Sequence, residues 1–287
     1  MTKKGEIPNQ SLQIPKVITR TAKLLQAISP KLATLFAAKL FTTPLKHRIP
    51  KRELHMEQNS RQQKLRVPKI NKAINVYHYG ESKNKILLVH GWSGRGTQLV
   101  KIADELIQKG FSTISFDAPA HGKSGSKTTL MPEFIASILE IEKQFGPFEF
   151  AIGHSLGGMS ILNAIKEGLS VKKAVIIGSG DIIQDILDDF VSKLELKPET
   201  ASMMKTHFEK KFGVEMESYS ASFAAKSVEI PLLIIHDKHD DEIEVKAAHN
   251  IHRNLKKGEI VITEKLGHRK ILGDKKVIET MLNFISN

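Results

Sequence analysis

From about residue 74 onward the chain alternates between two kinds of apolar pattern. Short, nearly continuous runs occur at INVYHY (74–79), KILLVH (85–90), STISFD (112–117), FEFAIGH (148–154), KAVIIG (173–178), LLIIH (232–236) and EIVITE (259–264). Unbroken runs of this length suit strands covered on both faces, whereas half-exposed strands alternate apolar with polar. Between them, near 97–109, 130–145, 156–168, 243–256 and 274–285, apolar residues return at helical spacing. Strand and helix in turn predict a mostly parallel sheet with crossover helices on both faces.

One interval breaks the rhythm. About 50 residues separate Gly178 from Pro231, far more than a structureless connection in a compact domain should span. The amphipathic segments DIIQDILDDFVSKLEL and MMKTHFEKKF inside it predict a small helical lid at roughly 181–228.

Upstream, Ile14 to Phe41 mixes apolar residues with Lys and Arg at helical spacing, punctuated by Pro15 and Pro30. The segment SPKLATLFAAKLF predicts a helix with Ser29 as N-cap and Pro30 at its first position, where a missing N–H costs nothing. Its apolar residues Leu32, Leu35, Phe36, Leu40 and Phe41 are expected to cover the body of the protein, a lipid surface being the alternative.

Charge sharpens this division. Residues 1–72 hold 16 Lys and Arg against 3 Asp and Glu, while the other residues hold 27 against 28, so the net charge of +12 belongs to the N-terminal part. Residues 1–72 therefore read as a basic helical extension and 73–287 as a catalytic domain. Such an extension is expected to attract an anionic partner or a membrane surface. Nucleic acid is not expected, because Phe36 and Phe41 are the extension's only aromatics and offer no stacking platform. The chain has no cysteine, which excludes disulfides, a thiolate nucleophile and cysteine metal sites. With no signal-type h-region and no long apolar span, the expected location is cytoplasmic.

The candidate chemistry centres on Gly153-His154-Ser155-Leu156-Gly157. A strand precedes this G-x-S-x-G and a helix follows it, so the serine falls on a sharp turn whose flanking positions leave no room for side chains. The amide of Leu156 then opens a helix, where an oxyanion is favoured. The stretch resembles the nucleophile elbow of the α/β-hydrolase superfamily. HGWSG (90–94), FDAPAHGKSG (116–125, with Ala120 for the usual glycine) and LIIHDKHDD (233–241) resemble three further family segments in the same order. The resemblance covers roughly 74–287 and implies an α/β-hydrolase fold with Ser155 as nucleophile. It also implies oxyanion amides at Trp92 and Leu156, Asp240 as the acid and His268, in Leu266-Gly267-His268, as the base. Asp237, Asp241 and Asp181 stay open as alternatives to Asp240, since Asp237 stands where the family has glycine. The implied activity is hydrolysis of a small-molecule carboxylic ester or thioester with no cofactor. An esterase acting on an acidic carrier protein and a non-catalytic docking protein are the rivals. His236-x-x-His239 and His249-x-x-His252 have helical metal-ligand spacing but no complete ligand set.

Overall fold

The computed structural model describes residues 14–286. Eight strands form a single sheet: β1 (Arg61–Val67), β2 (Lys72–Tyr79), β3 (Lys85–Val89), β4 (Ser112–Asp117), β5 (Phe150–His154), β6 (Lys173–Ile177), β7 (Leu232–Asp237) and β8 (Gly258–Thr263), in the order β1-β2-β4-β3-β5-β6-β7-β8. The pairs β1/β2 and β2/β4 are antiparallel; every other pair, from β4/β3 to β7/β8, is parallel. The inner strands β4 to β7 are almost wholly buried, which explains their unbroken apolar runs.

The helices in chain order are α1 (Lys16–Ile28), α2 (Pro30–Phe41), α3 (Leu54–Asn59), α4 (Val100–Gln108), α5 (Met131–Phe145), α6 (Leu156–Lys166), α7 (Ile183–Lys193), α8 (Glu199–Phe212), α9 (Ala221–Ala225), α10 (Lys246–Asn254), α11 (Gly267–Lys270) and α12 (Lys275–Ser286). Two apolar cores result. One, under α4 and α12, joins Ile86, Leu88, Ile152 and Ile235 to Leu106 and Met281. The other joins Leu87, Val89 and Ile176 to α5, α6 and the α7–α9 interval. None of the helices in the described residues is long and apolar enough to cross a membrane.

Two details depart from the sequence reading. Arg61–Val67, inside the segment assigned to the extension, is the edge strand of the sheet. It is rich in Arg, Gln and Lys because one of its edges faces solvent, and charge there blocks pairing with other chains. Ser29 does occupy the N-cap of α2, but with extended backbone and no hydrogen bond from its hydroxyl. The α1–α2 pair packs on the α7–α9 interval: the Phe41 ring meets Phe190 of α7 edge-on at 5.1 Å and Phe208 of α8 at 5.9 Å.

Candidate active site

Strand β5 delivers Ser155 to the carboxyl end of the sheet, where α6 begins. Ser155 has φ 52 and ψ −119, a conformation that costs an L-residue about 1–3 kcal/mol and persists only where its surroundings hold it. Its N–H donates to the carbonyl of Ile177 on β6 at 2.9 Å, and its own carbonyl accepts from the amide of Gly158 at 2.9 Å. Glycine is obligatory around it: a Cβ at 157 would stand 2.3 Å from the Val89 carbonyl oxygen, and one at 153 would stand 2.6 Å from the Gly157 backbone. The loop after β3 lies directly on this turn, since a Cβ at Gly91 would be 3.1 Å from that of Ser155. Trp92 follows. Among the described residues neither its amide nor that of Leu156 has a hydrogen-bond partner. The Leu156 amide is one of the unpaired donors at the positive end of a helix.

Asp240 stands on the turn after β7. Its Oδ1 accepts from the amides of Glu242 and Ile243, each at 2.9 Å, and its Oδ2 accepts from Nδ1 of His268 at 2.7 Å. Both side chains are buried, 1% and 4% exposed. Burial pushes the Asp240 carboxyl up, but the His268 hydrogen bond and charge, with the two amides, outweigh it and hold the group below the usual carboxylate range. With Nδ1–H engaged on Asp240, the imidazole keeps its Nε2 lone pair. Gly178 at the end of β6 leaves room for the pair: its φ is +56, and a Cβ there would be 3.3 Å from His268 Nδ1.

The pair is tied to the elbow by His154, the residue before Ser155. His154 Nε2 donates to the carbonyl of His268 at 2.9 Å, and the two rings lie 4.6 Å apart. Burial above all, then the neighbouring His268, drives His154 well below the ordinary histidine range, so it stays neutral. No hydrogen bond links Ser155 Oγ to His268 among the described residues; the tie runs from the residue before the serine to the main chain of His268. Glu242 also approaches, with Oε2 at 3.9 Å from His268 Nε2 and Oε1 at 2.9 Å from Arg269 Nη2. The sequence reading overlooked both residues. For His154 the one signal in the sequence is its adjacency to the serine.

The other candidates serve the scaffold. Asp237 Oδ2 accepts from Thr263 Oγ1 at 2.8 Å and the Leu266 amide at 3.0 Å, pinning the turn that carries His268. Asp181 binds the Ser222 amide at 2.7 Å and the Asn250 side chain. His90 and His121 accept, through Nε2, the amides of Ala118 and Ser93, each at 3.0 Å, and so brace the loops after β3 and β4. In the loop after β4, Ala120 takes φ +66, the left-handed form its family glycine would suit. Among the described residues no group of three or more His, Asp or Glu is placed to hold a metal. An open depression of about 330 Å³, lined by residues including Arg61, Lys85 and Ser112, lies at the amino ends of the parallel strands. Ligands of open α/β sheets bind at the opposite, carboxyl end.

Residues 86–233 match the model of the alpha/beta hydrolase family, a span that takes in Trp92, Ser155 and Leu156 and stops before Asp240 and His268. No curated protein matches. Among solved structures the chain is similar to an esterase from Pyrococcus furiosus (16% identity, 85% of this chain and 96% of that one, TM-score 0.64). It is also similar to an esterase from Exiguobacterium antarcticum (16%, 79% and 100%, TM-score 0.63) and a bromoperoxidase from Bacillus anthracis (15%, 79% and 100%, TM-score 0.62). At these identities the likeness concerns the fold. With the family model spanning more than half of its length, the chain belongs to the alpha/beta hydrolase family.

Proposed function

We propose that the protein is a serine hydrolase that cleaves a carboxylic ester or thioester through an acyl-enzyme on Ser155, with His268 as base and Asp240 as the carboxylate that orients it. One observation carries this reading: a buried imidazole, fixed by a carboxylate at 2.7 Å, has its main chain held by His154, the residue before a serine at φ 52 on a strand-to-helix turn. An unassisted serine hydroxyl is a poor nucleophile, and such a pair is what activates it.

In this mechanism Nε2 of His268 takes the Ser155 proton as Oγ attacks the acyl carbon. The amides of Trp92 and Leu156 receive the developing oxyanion, a contribution of about 3–4 kcal/mol per donor in comparable sites. The anionic Asp240 stabilises the imidazolium, and Glu242 adds a second negative charge near Nε2. The imidazolium protonates the leaving alcohol or thiol. Water, deprotonated by the same imidazole, then attacks the acyl-enzyme, releasing the acid and restoring Ser155.

A series of p-nitrophenyl esters and acyl thioesters of increasing chain length, run with Ser155→Ala alongside, tests this. Turnover is expected on at least one member, with kcat reduced by roughly 10⁴-fold or more in the variant. A Ser155→Ala protein that retained full activity would contradict the reading.

A further inference from the structure

The ten large hydrophobic side chains left exposed in the described residues are unevenly placed. Five belong to α1 and α2: Val17 at 70%, Leu24 at 62%, Ile28 at 66%, Leu32 at 44% and Leu35 at 42%. On α1, Val17, Leu24 and Ile28 are spaced i, i+7, i+11 and fall within a sector of about 40°. Exposed Lys16 and Arg20 border that stripe. On α2 the exposed leucines stand among exposed Lys31 and Lys39.

This outer face is not spare core. The inner face of the helix pair is already seated: Ala22, Ala33, Ala37 and Ala38 are in the apolar core, and Gln26 bonds Thr200 Oγ1 at 3.0 Å and accepts the Lys197 amide at 3.1 Å. Charge gives the partner its sign. Residues 7–52 contain nine Lys and Arg and no Asp or Glu, and of the five cations on the two helices only Lys23 has an ion-pair partner among the described residues, Glu195.

We infer that the outer face of α1 and α2 is a docking surface for an anionic lipid bilayer. Aliphatic side chains set among cations on one exposed face suit the boundary between headgroups and acyl chains, where the apolar stripe leaves water while the lysines meet lipid phosphates. A nucleic-acid backbone would use the cations but leave the aliphatic stripe in water. The inference stands apart from the reaction proposed above, because no residue of the stripe belongs to the site.

The test is flotation of the full chain with vesicles of phosphatidylcholine alone and of phosphatidylcholine mixed with phosphatidylglycerol, at rising salt. The protein is expected to float with the mixed vesicles only, and less as salt increases. Neutralising Lys16, Arg20, Lys31 and Lys39 to Gln should weaken this binding roughly a hundredfold or more, at about fivefold per cation. Leu24→Asp with Ile28→Asp should abolish it. Both sets lie on exposed positions and should leave the thermal midpoint and p-nitrophenyl acetate turnover unchanged. Failure of the wild-type chain to bind the mixed vesicles would overturn the inference, and so would undiminished binding by both variants. Capture by an acidic peptide or a nucleic acid while the vesicles are ignored would overturn it too.

Discussion

Asp237 and Asp240 lie three residues apart on one turn, and their hydrogen bonds separate their roles. Asp240→Asn is expected to leave the fold intact and lower kcat by about 10⁴-fold, because the amide favours the wrong imidazole tautomer. Asp237→Asn should instead cost about 1–3 kcal/mol of stability, by weakening the bonds to Thr263 and Leu266, and should spare kcat in the fraction that stays folded. Urea denaturation and ester kinetics on the two variants check this, and an exchange of the two outcomes would refute it. The family resemblance favoured Asp240 but left Asp237 open, since the two share a residue type and a loop. What separates them is which amides and which imidazole each carboxylate meets, and that arises only when β7, β8 and the His268 turn come together. Adjacency in sequence likewise hid His154. In the fold its ring reaches the carbonyl of His268. His154→Phe keeps the bulk and loses that donor; kcat should drop about tenfold or more, at about 1.4 kcal/mol per decade, with KM nearly unchanged. A fall in the thermal midpoint alone, at constant kcat, would mean that His154 serves packing only.

Among the elements, those most legible in sequence were the strands buried on both faces. The runs at 85–90, 112–117 and 173–178 fall on β3, β4 and β6 because a doubly covered strand is apolar throughout. The edge strand β1 escaped notice: RQQKLRV is polar, and the basic run around it gave its residues to the extension. The loops after β3 and β4, the first of which holds Trp92, rest on two buried histidines. Burial first of all lowers His90 to about 4 and, with the neighbouring His90 adding to it, His121 to about 3. Their folded values lie below the ordinary histidine pKa near 6.5, so in acid the unfolded chain binds protons that the folded chain refuses. The stabilisation is complete above about pH 6.5 and drains away as pH falls from there toward about 4, by up to about 1.4 kcal/mol per pH unit for each ring. Urea midpoints should therefore decline between pH 7 and pH 5, and His121→Asn should flatten the slope. An unchanged slope in that variant would remove His121 from the explanation. Between α2 and the helices α7 and α8, Phe41→Ala should cost about 2–4 kcal/mol by removing the ring that meets Phe190 and Phe208, as calorimetry would show.

At the scale of the whole molecule, chemistry and charge are segregated. Ser155, Asp240, His268 and the loop of Trp92 lie beyond the carboxyl ends of the parallel strands β5, β7, β8 and β3, the end at which open α/β sheets bind ligands, while the net positive charge lies in the N-terminal part. The alternation of strands and helices and the strand-to-helix setting of the G-x-S-x-G made the placement of these residues at strand ends legible in the sequence. The way the N-terminal helices seat on the α7–α9 interval was less so, because the partners of an amphipathic helix are decided by tertiary packing. Leu45, just beyond α2, donates its amide to Ser93 Oγ at 3.0 Å, so the extension reaches the residue next to Trp92. The central claim is an activated hydroxyl at Ser155, and the most direct measurement is peptide-mapped labelling with a fluorophosphonate probe, wild type against His268→Ala. The account expects a single adduct on Ser155 in the wild type, forming at least about a thousandfold more slowly without the imidazole. An unlabelled Ser155 under saturating probe, or an equal rate in the two proteins, would contradict it.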